Sequence, residues 1–397
     1  MRDLNVTVFL TSMLILVSAG CISAPERELS PDRADYAVTV TGRDPLNLDQ
    51  FMSLGDETRS THRSLFRTYE RQRGHALNIL QISWGGQNGS FGAGFLKGWR
   101  ASGNRPEFDM VTGVSTGALL ATHAFLGTPA DDAVLEGIFT GVEQRDIFTE
   151  KGVLGVLAGA NSLLDTAPLD ALLKKVITPE MIARVAAEHD KGRRLFVATT
   201  NLDYNQTWVW DMGVLAKQGG PDVLERYRKI LMASSAFPIM FPPVEIDGHL
   251  FVDGAVRMNL LVLGLSGEDR PPPPLYGPGN VYVIQNGRLK SPPEAVRASI
   301  GTLAGNSIAE MMASSMEGLL VRSYFAAQVN GYRYFSVEIP VGIDIGSNAL
   351  AFDPIQMQAG FDGGYKLGKS PNPWSDVPPL LGDVPDWALE VMNQRKR

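Results

Sequence analysis

Cysteine is almost absent: Cys21 is the only one among 397 residues. A single thiol cannot close an internal disulfide. Without a C-x-x-C pair or a His/Cys cluster, no structural metal site is expected. Histidine is scarce too, with five in the whole chain, at His62, His75, His123, His189 and His249. Any chemistry that needs imidazole as a proton carrier has few residues to draw on. An excess of positive charge is also missing: 36 Lys and Arg face 43 Asp and Glu, for a net charge of −7, so nucleic acid is not expected as the main partner. No segment recurs at a fixed period, which removes solenoids and propellers. What remains, 44% hydrophobic and 20% charged residues, is the balance of a globular protein with a real core.

The lone cysteine has a telling position. It follows the apolar run VTVFLTSMLILVSAG, residues 6–20, which Arg2 precedes. A charged start, an apolar stretch and small residues make the layout of a secretory signal, too short to be read first as a spanning helix. The end of the run, Ser18-Ala19-Gly20-Cys21, resembles a bacterial lipoprotein signal, in which the cysteine becomes the lipidated first residue. An ordinary cleaved signal with an incidental cysteine is the alternative. Lipidation at Cys21 would hold the protein at a membrane surface without a spanning helix. The expected organisation is a signal at 1–21, a tether and lead-in at 22–74 with a helix from Ser60 to Arg71, one α/β domain at 75–368, and a C-terminal arm at 369–397.

Within the domain, ALNILQISWGG reads as a buried strand that stops at a glycine pair, and QNGSFGAGFLKGWRASG as the helix after it. FDMVTGV is a second strand, broken at Gly113, and ALLATHAFLG a second helix. Thr178-Pro179 opens a helix that runs to Asp190. RRLFVATTNL and TWVWDM are strands, and PDVLERYRKILMASSAF is a helix closed by Pro238. VEIDGHLFVDG is a hairpin turning at Asp247-Gly248. Pro271 to Pro274 mark a surface insertion, and NVYVIQNG and YRYFSVEI are strands flanking a helix from Ala295 to Gln328. Strands alternating with helices give an α/β fold.

Three elements bear on chemistry. Gly113-Val114-Ser115-Thr116-Gly117 fits G-x-S-x-G, a serine on a sharp turn between strand and helix. A plain glycine-lined turn with a capping serine is the alternative. Gly85-Gly86-Gln87-Asn88-Gly89 ends a strand and leads into a helix, where backbone N–H groups can converge on an oxyanion. A phosphate loop fits poorly, because no Lys-Ser/Thr follows and Trp84 occupies the first place of G-x-G-x-x-G. Asp253-Gly254-Ala255 follows the apolar strand HLFV. Asp362 in Asp362-Gly363-Gly364 is its rival, whereas Asp247 is explained by the hairpin turn.

The histidines serve Ser115 badly. His62 and His75 precede the three elements and lack a placed partner. His123 lies about 12 Å along a regular helix from Ser115, so it packs or faces water. His189 ends a charged helix and is expected in solvent. His249 shares a strand face with Asp253, but four strand residues span about 13 Å, so the two cannot touch. A triad of Ser115 with His249 and Asp203 or Asp211 stays open.

In order, SWGGQNGSFGAGFLKGW, GVSTG and ASSAFPIMFPPVEIDGHLFVDGAVRMN resemble the patatin-like phospholipase family, over roughly residues 77–341. The resemblance implies an α/β three-layer sandwich with a mostly parallel central sheet flanked by helices. It implies a Ser115–Asp253 dyad that hydrolyses ester bonds of membrane lipids, with an oxyanion loop at Gly85, Gly86 and Asn88. Gly89, Gly113, Gly117, Gly254 and Ala255 are the accompanying motif positions. No cofactor is expected; the expected partners are a lipid substrate and a membrane surface. Two positions depart from the family pattern: Trp84 replaces the first glycine of the loop, and Asn88 stands where many members carry Arg or Lys. A silent lipid- or partner-binding lipoprotein and a hydrolase of soluble esters are the other functional readings. The apolar residues Phe237, Ile239, Met240 and Phe241 are an acyl-chain wall, a membrane lip or simple core.

Overall fold

The short apolar runs that stop at glycine become the middle of one sheet. A computed structural model describes residues 37–40, 65–151, 161–262, 274–289 and 300–382. The signal with Cys21, His62, most of the expected tether, Pro271 to Pro273 and residues 383–397 lie outside those described. The strands are β1 (Ala37–Val40), β2 (Asn78–Ile82), β3 (Met110–Val114), the two-residue pair β4 (Thr149–Glu150) and β5 (Leu164–Asp165), β6 (Arg194–Asn201), β7 (Gln206–Asp211), β8 (Val244–Ile246), β9 (His249–Asp253), β10 (Asn280–Ile284) and β11 (Arg333–Val337). The main sheet runs β1-β7-β6-β3-β2-β10-β11, with β9 paired to β6 and β8 to β9. β6, β3, β2, β10 and β11 are mutually parallel, while β1, β7, β8 and β9 join antiparallel. The parallel core explains the unbroken apolar runs: β3 is buried along its whole length, as a strand covered on both faces must be.

Helices α1 (Leu65–Arg73), α2 (Gly89–Ala101), α3 (Thr116–Leu126), α4 (Pro129–Thr140), α5 (Ala167–Val176), α6 (Pro179–Asp190), α7 (Met212–Gln218), α8 (Pro221–Ser234), α9 (Ile300–Val329) and α10 (Pro354–Gly368) flank the sheet. The result is the expected α/β architecture of a mostly parallel sheet between helices. Thr178 caps α6 by accepting from the Met181 N–H, with Pro179 behind it. The hairpin turns at Asp247 and Gly248, both at positive φ, 54° and 80°. Gly113 lies inside β3 rather than ending it, because the strand continues to Val114 in register with Ala198.

The ends of the domain are broader than the sequence implied. β1, inside the stretch read as a tether, pairs with β7 at the sheet edge. α1 is bound to the core: the Tyr69 hydroxyl donates to the Asp109 carbonyl at 2.7 Å, and Arg73 pairs with Asp109 at 2.7 Å. At the other end, Trp374 of the expected arm packs on Trp99 at 4.7 Å between ring centroids and on Tyr282 at 5.2 Å. Both segments carry aromatic or charged anchors whose partners lie far away in sequence.

One feature of the register sets up the site. β6 is long enough to pair with two strands on the same side. Its first half pairs with β3 up to Val114↔Ala198, and its second half pairs with β9 from Asp253↔Thr199. β3 runs parallel to β6 and β9 antiparallel, so their C-terminal ends meet head to head beside two consecutive residues. Phe251 fixes β9 there with edge contacts to Trp208 and Trp210, at 5.2 and 5.4 Å between centroids.

Candidate active site

Ser115 is the first residue after β3 and Asp253 the last of β9, so the head-to-head register brings them together. Ser115 Oγ donates to Asp253 Oδ2 at 2.6 Å. The other carboxylate oxygen, Oδ1, accepts the Ala255 N–H at 2.8 Å. Asp253 is only 1% exposed. Burial pushes its carboxyl up from the ordinary 3.8 to about 7, against a smaller downward pull from the Ser115 and Ala255 hydrogen bonds. A carboxylate with that affinity for protons is matched to general-base work near neutral pH.

Ser115 itself is held at φ 56°, ψ −127°, a conformation costly for any residue with a Cβ. The elbow around it has no spare room. A Cβ on Gly113 would come within 2.8 Å of Ala118 Cα, and one on Gly117 within 2.6 Å of the Ser83 carbonyl oxygen. Gly254 is constrained alike, since a Cβ there would meet the Ala198 backbone carbon at 2.9 Å. The small residues of both motifs thus let three backbones close on one point at the C-terminal edge of the parallel strands, the usual ligand edge of such sheets.

The glycine loop adjoins this point because β2 is the neighbour of β3, with Ile82 opposite Gly113. Gly86 adopts φ 55°, and a Cβ on it would meet the Ala349 backbone. Among the described residues, the Gly85 and Gly86 N–H groups have no carbonyl partner. The Asn88 N–H is different. It donates back to the Gly85 carbonyl at 3.0 Å in a short 3-10 turn. The Asn88 N–H expected to face an oxyanion is thus committed within the loop, and the buried Asn88 Oδ1, unpartnered among the described residues, is an acceptor, which offers an oxyanion nothing. Trp84, in the place of a glycine, is accommodated because its ring lies over Gly287, where a Cβ would come within 3.1 Å of the indole nitrogen.

Residues that sequence reasoning passed over hold the loop. Gln87 Nε2 donates to the Ile345 carbonyl at 3.0 Å and to Gln356 Oε1 at 2.8 Å, and its Oε1 accepts the Asp353 N–H at 2.8 Å. Asn286 donates its backbone N–H to Ser83 Oγ at 2.9 Å and its side-chain amide to the Ser83 carbonyl at 3.1 Å. Ser234 Oγ accepts the Ser115 N–H at 2.9 Å. No local sequence pattern marks these three, because each partner comes from a distant segment.

The rival residues are spent elsewhere. Asp362 lies in α10 and accepts from Gln358 on an exposed face at 2.8 Å. The glycine after its neighbour, Gly364, is needed where α10 crosses α2, since a Cβ there would crowd the Phe95 backbone nitrogen at 2.9 Å. His249 is fully buried in an aromatic cluster with Tyr204, Trp208 and Phe251, its Nδ1 3.7 Å from Asp203. His123 is buried, 3.5 Å from Asp131. His189, expected in solvent, is buried against Gly213 at the start of α7, 3.6 Å from Asp211, and burial lowers its pKa to about 4. His75 pairs with Asp109, the residue before β3, at 3.2 Å. We expect His249→Ala to lower stability by about 1–3 kcal/mol but to leave turnover per folded molecule little changed, and Asp362→Asn to change neither. Thermal melts with ester assays on the same samples check both; loss of turnover in folded His249→Ala would restore the triad.

Of the four apolar residues of the 237–243 segment, Phe237 and Phe241 are core, 5% and 4% exposed. Met240 is half-buried and approaches α9 near Gly305. Ile239 alone is thrown outward, 46% exposed at φ 69°, a rare state for a β-branched residue. Among the described residues no helix is long and apolar enough to cross a membrane.

Residues 82–265 match the family model of the patatin-like phospholipases, and the chain carries a patatin-like phospholipase domain over that stretch. The matched stretch includes the glycine loop, Ser115 and Asp253, and ends before β10, α9, β11 and α10. Among solved structures, the crystal structure of VipD from Legionella pneumophila is similar at 12% identity, with a TM-score of 0.38, over 73% of this chain and 66% of that one, just under two thirds of its length. No curated protein matches.

Proposed function

We propose that this chain is a serine hydrolase that cleaves carboxylic ester bonds of phospholipids or related acyl lipids, in the manner of a phospholipase A, through a Ser115–Asp253 dyad and an acyl-enzyme intermediate. The observation that carries the reading is the 2.6 Å contact between Ser115 Oγ and a buried Asp253 whose pKa is about 7. Asp253 takes the proton from Ser115 Oγ as the oxygen attacks the ester carbonyl. The Gly85 and Gly86 N–H groups receive the oxyanion, each such donor being worth about 3 kcal/mol in related chemistry. The C–O bond to the alcohol breaks, and Asp253 returns its proton to the departing oxygen. A water molecule then gives its proton to Asp253 and attacks the acyl-serine, and the fatty acid leaves with Ser115 re-protonated. One carboxylate oxygen, one hydroxyl and one water carry the protons of this cycle, with no histidine.

A membrane setting suits such a substrate. On this reading the run 6–20 exports the protein, Cys21 carries the acyl anchor, and the enzyme works in a bacterial cell envelope, at the outer membrane where there is one. The outward Ile239 and half-buried Met240, a few residues beyond the turn that binds the dyad, are then candidates for an acyl-chain wall. The test is a fluorophosphonate probe followed by peptide mapping. A single adduct on Ser115, lost in Ser115→Ala and blocked by prior incubation with phospholipid, is expected. A folded wild-type protein that takes up no probe would overturn the hydrolase in favour of a silent lipid-binding protein.

A further inference from the structure

Ser234, the last residue of α8, leads through Ser235 and Ala236 into the 237–243 segment, and this turn touches both halves of the dyad. Ser234 is fully buried. Its hydroxyl oxygen accepts the Ser115 N–H at 2.9 Å, and its hydrogen goes to the Ala198 carbonyl of β6 at 2.8 Å. Two residues on, the Ala236 carbonyl accepts the Asp253 N–H at 2.9 Å. Ala198 and the next residue, Thr199, are the positions of β6 that stand beside Val114 and Asp253.

We infer that Ser234 is a positioning residue and that the turn 234–236 sets the distance between nucleophile and base; the inference rests on the hydrolase reading above. Ser115 sits at φ 56°, from which its peptide gains by rotating away. Its N–H is fixed by the Ser234 hydroxyl, which is itself fixed to β6, so the peptide cannot turn without breaking a buried hydrogen bond. Asp253 is fixed by the same turn through Ala236. One short segment therefore holds both strand ends against β6, and an error in it displaces Oγ relative to Oδ2. The same bond commits the Ser115 N–H, which leaves oxyanion stabilisation to other donors such as Gly85 and Gly86. A serine late in a helix ordinarily returns its hydrogen to its own preceding turn; Ser234 sends it across to the sheet.

The experiment compares wild type, Ser234→Ala and Ser234→Thr on a short-chain p-nitrophenyl ester. Active sites are titrated to completion with a fluorophosphonate, and melts are recorded on the same samples. Misplacement by about 1 Å can cost about 100-fold in rate. Ser234→Ala is expected to lose about 10- to 100-fold in kcat per titrated site, with KM little changed, and Ser234→Thr, which keeps the hydroxyl, is expected to recover most of the loss. Wild-type kcat per titrated site in Ser234→Ala, with only a lowered melting temperature, overturns the inference and makes the serine merely structural. If the alanine variant does not fold, Ser234→Cys replaces it: its thiol is a weak donor and acceptor, so a fall in kcat at constant KM supports the inference and wild-type kcat overturns it. A folded wild type that neither labels nor turns over ester overturns the hydrolase reading itself, a result distinguishable from failure at Ser234.

Discussion

Replacing Ser115 with alanine is expected to lower ester turnover by about 10⁴- to 10⁶-fold while the protein stays folded. The loss is large because, among the described residues, no second nucleophile is in contact with Asp253: the carboxylate's two oxygens are taken by Ser115 Oγ and the Ala255 N–H. The substitution also has a cost that activity assays do not show. Alanine at φ 56° keeps the strain of the elbow and removes the hydroxyl that partners a buried carboxylate. Ser115→Ala is therefore expected to be less stable than wild type at pH 8. Ser115→Gly, equally inactive, relieves the positive φ and should melt higher than Ser115→Ala. Circular-dichroism melts of the two variants side by side check the order; a lower melting temperature for glycine would argue against a strained elbow.

Asp253→Asn is expected to reduce kcat by about 10³- to 10⁴-fold and yet to raise stability in alkaline buffer. The sign follows from the direction of the shift. Asp253 has its pKa raised from 3.8 to about 7, so the native state holds this proton more tightly than the unfolded chain. Below the lower value both states are protonated and the group contributes nothing to the difference. As pH rises from there through about 7, the unfolded chain ionises first and native stability falls, and above that range the full penalty, of the order of 4 kcal/mol, is present. Asparagine has the same shape, still accepts the Ala255 N–H, and carries no charge to desolvate. Its advantage over wild type should be largest at pH 8 and vanish near pH 4, as denaturant titrations at several pH values would reveal. Wild-type kcat/KM should rise with pH through about 7, since the working base is the ionised carboxylate. A rate independent of pH between 5 and 9 would remove Asp253 from that role. Activity and stability thus pull in opposite directions at this residue.

The elbow, the glycine loop and the Asp-Gly-Ala turn were legible in the sequence because each is a local device. Small residues cluster where backbones must approach, and the strand before each is a short apolar run. The parallel core was legible for the same reason, as β2, β3, β6 and β10 are apolar, mostly buried runs ended by turn signals. What local pattern does not carry is the partner of a side chain. Gln87 looks like a polar loop residue until the 345–356 segment folds over it, and Ser234 looks like a helix-end serine until β6 brings Ser115 beside it. His189 misleads in the same way. The end of a charged helix suggests solvent, but Gly213 lets α7 dock against the ring. β1 shows the same limit: Val38, Thr39 and Val40 are β-branched, but a run of four residues names no partner until the open edge of β7 receives it. The meeting of Ser115 with Asp253 across 138 residues lies between these cases. Each half was readable alone, but their contact depends on β6 being long enough to seat two strands end to end.

Release of fatty acid from an acyl lipid by Ser115 is the event on which the proposed function stands. Its most direct test is lipid mass spectrometry of phospholipid vesicles incubated with wild-type protein and with folded Ser115→Ala. Wild type is expected to produce free fatty acid and the matching lysophospholipid in equal amounts, and Ser115→Ala neither above background. Equal release by both proteins would contradict the account.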